Sequence, residues 1–200
     1  MLLKFILIGL SYFFGKICPL PKRLKDKVYE ELFQIYGSES SDKRPVEFED
    51  LQQLEYMERV IKETMRLFPV VPVVARKLLE DFLLDGYNLP KGCGILISIF
   101  ALHRNEKYWP DSLKFDPDRF LPERVEKRSS YTYMPFSVGP RNCIGSVYAM
   151  MSMKILLATL LRKYVLIKDH ITPVKDMKVK ADVLLDSAEP VTMRIQKRVK

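Results

Sequence analysis

Apolar and polar positions change their rhythm several times along the chain. Between residues 24 and 36, "LKDKVYEELFQIY", apolar side chains fall at Val28, Leu32, Ile35 and Tyr36, the spacing of a helix with one buried stripe. Gly37 stops that helix, and the polar run "SESSDKRP" reads as a loop. A second helix begins in acidic residues at "EFEDLQQLEYMERVIKETMRLFP". Its stripe is Leu51, Leu54, Met57, Ile61 and Met65, and Pro69 ends it.

After Pro69 the texture is that of strands. "VPVVARKLL", "DFLLDGYNL" and "GCGILISIF" are β-branched or aromatic runs, separated by Asp85-Gly86 and by Pro90-Lys91-Gly92. Asp-Gly between apolar runs is a strong hairpin signal. Residues 104–133 are mostly irregular, and loops of that length usually carry function. Residues 146–165, "SVYAMMSMKILLATLLRKYV", are apolar almost all round, which predicts a buried helix. Two more strands are expected near 178–185 and 191–197, paired with each other. The sum is an α+β fold, predominantly helical, with small peripheral β-sheets.

The first residues stand apart. "LLKFILIGLSYFFG", residues 2–15, is apolar except for Lys4, and "KICPLPKRLKDK" follows with prolines and basic side chains. About 14 residues of helix span roughly 21 Å, short of a hydrocarbon core of ~30 Å. Residues 1–23 therefore read as a signal-like segment, a marginal anchor or a buried helix, and the basic residues after them suit an anionic cytoplasmic membrane surface. Residues 24–200 read as one domain, long enough for a core of its own.

Charge adds a second constraint. Thirty-three Lys and Arg against 25 Asp and Glu leave a net +8, which favours anionic partners. Nucleic acid is not expected, because zinc-finger spacing, RRM signatures and a basic heptad helix are all missing. Cys18, Cys93 and Cys143 form no CxxC pair and no disulfide framework, which fits a reducing compartment. Structural zinc needs about four grouped ligands. A cysteine nucleophile needs a partnered base, and neither His103 nor His170 sits in a recognisable motif; His103 reads as a structural histidine just after a strand.

One stretch does suggest chemistry. "PFSVGPRNCIG", residues 135–145, sets Cys143 in a glycine-rich loop that feeds the N-terminus of the apolar helix, where amide groups and the helix dipole stabilise a thiolate. Phe136, Gly139, Arg141, Cys143 and Gly145 spell F-x-x-G-x-R-x-C-x-G. Gly139 and Gly145 let backbone approach a large flat group, Arg141 offers a fork for a carboxylate, and Phe136 can cover the sulfur. Upstream, Glu63 and Arg66 in "KETMR" share a helix face at i, i+3. "FDPDRF" adds Arg119, so that one carboxylate can hold two arginines and pin the irregular stretch.

E-x-x-R, then P-[DE]-R-F, then F-x-x-G-x-R-x-C-x-G, in that order, resembles the cytochrome P-450 superfamily of haem-thiolate monooxygenases. The wording of "GYNLPKG", "ALHRNEKYWPDSLKFDPDRF" and "MPFSVGPRNCIG" is most similar to family 4 microsomal members. The resemblance covers residues 24–198 and implies the C-terminal portion of that fold. It implies haem as cofactor with Cys143 as iron ligand, and a haem environment of Arg76, Pro135, Phe136, Gly139, Arg141, Ile144, Gly145 and Ala149. It makes Glu63, Arg66 and Arg119 a structural triad, and Val70, Val71, Pro72, Val73 and Val74 a substrate-pocket segment. An NADPH-dependent reductase, an apolar substrate such as a fatty acid or terpenoid, and the cytoplasmic side of the endoplasmic reticulum membrane follow from the same likeness. Lys154, Arg162, Lys163, Arg124, Lys127 and Arg128 are candidates to face an acidic reductase. The family's distal helix with its acid–alcohol pair has no match in residues 1–23. A non-catalytic fragment that binds haem or the reductase is therefore the alternative.

Overall fold

Apolar stripes decide how the helices meet. A computed structural model of the chain describes residues 22–37, 44–168, 172–190 and 192–198. The segment before Lys22, Cys18 and His170 lie outside the described residues. Helices α1 (Lys22–Tyr36), α2 (Asp50–Gln53), α3 (Glu55–Leu67) and α6 (Ser146–Lys163) bury Val28, Leu32, Leu51, Leu54, Met57, Val60, Ile61, Met65, Met153, Leu157, Ala158 and Leu161 in one cluster. Every residue of the stripe expected on the second helix is in it.

That second helix is two helices. Asp50 accepts from the Glu47 amide, and the Glu31 carboxylate on α1 takes the Tyr56 and Met57 amides at the first turn of α3. An acidic side chain at these unpaired N–H groups starts a new helix there. Leu54 between them is fully buried, with non-helical backbone. Gly37, at φ 71°, closes α1 in the left-handed conformation that glycine takes most readily.

Among the described residues, the strands form four two-stranded antiparallel sheets. β1 (Val73–Lys77) pairs with β4 (Gly94–Ser98), and β2 (Phe82–Leu84) with β3 (Tyr87–Leu89) across the Asp85-Gly86 turn. The tail corrects one expectation. β6 (Val179–Ala181) pairs with β7 (Leu185–Ser187), while β8 (Arg194–Lys197) pairs with β5 (Tyr164–Ile167). β5 comes from the end of the stretch read as helix: the aromatic and β-branched "YVLI" favours extended backbone once α6 stops at Lys163.

A second correction concerns α6 itself. Its buried residues, Met153, Lys154, Leu157, Ala158 and Leu161, lie on one side, while Val147 is 71% and Tyr148 53% exposed. The helix is half covered, not enclosed.

The irregular stretch from His103 to Met134 holds only short turns, including Pro117–Phe120 and α5 (Pro122–Val125). Glu63 and Arg66, both fully buried, form a bidentate pair at 2.7 and 2.9 Å. The same carboxylate accepts the Asp116 amide at 2.8 Å, and Arg119 Nε stands 3.6 Å away. Arg66 also donates to the carbonyls of His103 and Lys114. Burial pushes the Glu63 carboxyl above its ordinary range, against the pull of Arg66, the Asp116 amide and Arg119. Trp109, wholly buried, lies between Arg66 and Arg128, whose guanidiniums stand 5.0 and 4.1 Å from its ring.

His103 completes the cluster. It ends the four-residue helix α4 (Ile99–Leu102) that follows β4, so a short helix intervenes before it. Its ring stacks on Tyr133 with centroids 5.2 Å apart, and Nε2 accepts the Met134 amide at 2.8 Å. Burial, with Arg66 close by, lowers its pKa to about 4.

Two outcomes follow from this cluster. Glu63→Ala leaves Arg66 buried without its partner and lowers unfolding stability by about 3–5 kcal/mol, measurable by urea denaturation. Opening the exposed Lys178–Glu189 pair with Lys178→Ala changes the midpoint little. For His103, the unfolded imidazole takes its proton near pH 6.5 and the folded one only near 4. Its contribution is intact above pH 6.5 and is lost as pH falls through that window, by about 3 kcal/mol in all. Stability measured from pH 7 to 4 therefore falls less steeply in His103→Gln than in the parent.

Candidate functional site

Cys143 sits at the end of a loop that backbone hydrogen bonds hold closed. The Ser137 amide donates to the Met134 carbonyl, Asn142 to Gly139, and Cys143 to Phe136 at 2.9 Å. Gly139–Arg141 makes one 3-10 turn, with Gly139 at φ 78°. A Cβ on Gly139 would meet nothing within 4 Å, so it is the backbone angle that calls for glycine there. Ser137 takes φ 61° without being glycine, a conformation that surrounding contacts must hold in place.

Helix α6 begins immediately beyond. Gly145 precedes its first residue, and no side chain caps that end. The Cys143 carbonyl accepts from Ser146, and Gly145's from Ala149. Cys143 is thus three residues ahead of the first residue of an 18-residue helix, at the positive end of its dipole.

The loop does not shield its own sulfur. Arg141, Asn142, Cys143 and Ile144 are all exposed, Ile144 almost completely at 99%. The inward positions belong to Met134, which is buried, and Phe136, which packs against the main core. Pro135, Gly145 and Ala149 are half-buried. Ile144, Val147 and Tyr148, all within five residues of Cys143 in sequence, are exposed apolar side chains.

Arg76 comes to this loop from β1. It is half-buried, and one of its terminal nitrogens donates to Ser137 Oγ at 3.2 Å. The 70–74 segment leads into that strand, with Val73 and Val74 as its first two residues. Pro72 is buried, Val70, Val71 and Val74 are half-buried, and Val73 is exposed. Val70 and Pro72 offer carbonyls to Leu185 and Phe100. Glu63, Arg66 and Arg119 come together behind the loop, while Arg141 takes no part in that cluster.

The basic candidates divide. Lys154 is buried, donates to the Leu51 carbonyl at 2.7 Å and pairs with Glu58. Arg162 donates to the Arg44 carbonyl and lies over the Tyr36 ring, and Arg128 is half-buried on Trp109. These three hold the fold together, because an apolar helix face needs its few cations satisfied internally. Arg124, Lys127 and Lys163 are exposed.

Sequence reasoning passed over His103, Ser137 and Trp109 as parts of this region. Trp109 is the chain's single tryptophan, which was a signal of a buried hub. Among the described residues, no group of three or more His, Cys, Asp or Glu could hold a metal ion, and no helix is long and apolar enough to cross a membrane.

Comparison with known proteins identifies the family. A family model for cytochrome P450 matches residues 8–192. Cytochrome P450 4g15 of Drosophila melanogaster is 40% identical over 190 residues, 94% of this chain and 32% of its own length. Cytochrome P450 4V2 of Mus musculus is 48% identical over 138 residues, 69% of this chain and 26% of its own. A probable cytochrome P450 313a1 of Drosophila melanogaster is 40% identical over 176 residues, 87% and 35% respectively. The chain spans about a third of the length of the curated relatives it matches. Its sequence is family 4-like, and it belongs to the cytochrome P450 family.

Proposed function

We propose that residues 24–200 form the haem-thiolate, C-terminal portion of a P450 monooxygenase, and that Cys143 is the axial iron ligand. One observation carries the reading: an exposed thiol at the N-terminus of a long helix, presented by a closed loop with exposed apolar side chains close to it in sequence. The residues present suit the group. A cysteine sulfur can ligate iron, Ile144, Val147 and Tyr148 offer apolar contact, and Arg76 and Arg141 offer cations for propionates. Haem held by the Cys143 sulfur would supply the chemistry of oxygen activation.

The chain's own residues would hold and orient that group. The Phe136 carbonyl fixes the Cys143 amide, and Ser137 holds Arg76 alongside. Val70, Val71, Pro72, Val73 and Val74 would line the pocket for an apolar substrate such as a fatty acid or terpenoid. Arg124, Lys127 and Lys163 remain as candidates to meet the acidic face of an NADPH-dependent reductase. The likeness to family 4 supports the cytoplasmic side of the endoplasmic reticulum membrane, with residues 1–23 as a membrane-associating segment.

A second reading has an observation of its own. Cys143 and the apolar face of α6 are open in the described structure. The chain by itself would then bind haem or the reductase without turning over substrate.

The reduced, carbon-monoxide-treated protein tests both. A thiolate-type Soret band is expected in the parent and in Cys18→Ala and Cys93→Ala, and is absent from Cys143→Ala. Its survival in Cys143→Ala overturns the ligand assignment. Turnover with a reductase then separates the two readings. Arg124→Glu with Lys127→Glu slows reductase association at low salt, and the difference shrinks as ionic strength rises.

A further inference from the structure

We propose that His103 is a positioning residue for Cys143: its Nε2 fixes the Met134 amide and, through it, the register of the loop that presents the thiol. The inference rests on the haem-thiolate reading above and adds to it a residue outside the cysteine loop.

Two side chains from elsewhere in the fold anchor loop 134–143. Arg76 does so from the half-exposed side, through Ser137 Oγ. His103 does so from the buried side, through the Met134 N–H at 2.8 Å. From Met134 the path to the thiol is short. Its carbonyl accepts Ser137, whose left-handed backbone turns the chain, and the adjacent Phe136 carbonyl accepts Cys143. A change in Met134's position is therefore passed to two of the three bonds that close the loop.

His103 is itself held on three sides. Its carbonyl accepts from Arg66 at 2.7 Å, its amide donates to Ile99, and its ring lies between Tyr133 and Trp109. The buried Glu63–Arg66 pair is thereby joined to the cysteine loop by one continuous path of hydrogen bonds: Glu63, Arg66, His103, Met134. Accepting an N–H requires Nε2 to carry no proton, and the apolar surroundings keep the imidazole neutral. An apolar residue of similar size would fill the space but leave the Met134 N–H buried without an acceptor.

The test compares His103→Leu with His103→Gln, whose side-chain oxygen can reach the position of Nε2. Two readouts are followed on the whole chain: amide hydrogen exchange resolved by residue, and the spectrum of the reduced, carbon-monoxide-treated protein. His103→Leu is expected to speed exchange at Met134, Ser137 and Cys143 by at least about tenfold, with α3 and β2–β3 unchanged, and to convert the thiolate-type band to one lacking the thiolate. His103→Gln is expected to restore both. Unchanged loop protection and an intact band in His103→Leu overturn the proposal. So does acceleration spread evenly over the chain, which marks a purely structural residue, and so does a folded His103→Gln that restores neither readout. Cys143→Ala run in parallel keeps the two ideas apart. If the band survives there, the haem-thiolate reading fails, and the exchange data alone decide whether His103 sets the loop.

Discussion

A buried carboxylate that must be neutralised organises the region behind the candidate site. Glu63 has no access to water, so its charge is tolerable only with partners in good geometry. Arg66 supplies a two-pronged one from the same helix, and Arg119 and the Asp116 amide arrive from the irregular stretch. Those partners fix where residues 103–119 run, although that stretch has no ladder of its own. The interaction's worth lies less in net stabilisation than in specificity, because any misplacement strands a charge in a dry interior.

The candidate ligand is built on the opposite principle. The cysteine loop is shallow, exposed and held mainly by its own backbone. Residues 138–144 face solvent, and only the start of the loop is deeply seated. Precision at an exposed thiol must then come from behind. Met134 is where buried and exposed meet, and two different environments act on one short segment: a desolvated aromatic and ionic cluster, and a helix N-terminus.

Much of this was legible in the sequence, but unevenly. The stripes on α1 and α3 and the Asp85-Gly86 hairpin depend on local periodicity and turn chemistry, and both were read correctly. The break at Leu54 was not, because it depends on Glu31, a residue of another helix that reaches the α3 amides. The pairing of β5 with β8 was missed for a similar reason: residues 164 and 197 are far apart in sequence, and composition says nothing of partners. Proximity of Glu63, Arg66 and Arg119 was anticipated from family-like motifs, whereas spacing alone gave only the i, i+3 pair. Exposure of Cys143 ran against the expectation of a shielded sulfur, since apolar composition in a loop and helix does not say which face is covered.

Net charge has an internal use as well as an outward one. An excess of +8 suggested an anionic partner surface, yet several of the cations point inward and hydrogen-bond to backbone carbonyls. Arg66 serves His103 and Lys114, Arg104 serves Leu67 at the end of α3, and Arg119 serves Asp111. Arg128 serves Arg119, Arg162 serves Arg44, and Lys154 serves Leu51. A chain with long irregular segments has carbonyls that no helix or sheet satisfies, and long cationic side chains reach them without regular backbone geometry. Arginine is the better choice, because its planar fork carries five donors and can serve a carbonyl and a carboxylate or ring together. Part of the basic excess is therefore a consequence of irregular architecture. Only cations that stay exposed after those internal roles are assigned, such as Lys127, remain as evidence about a partner.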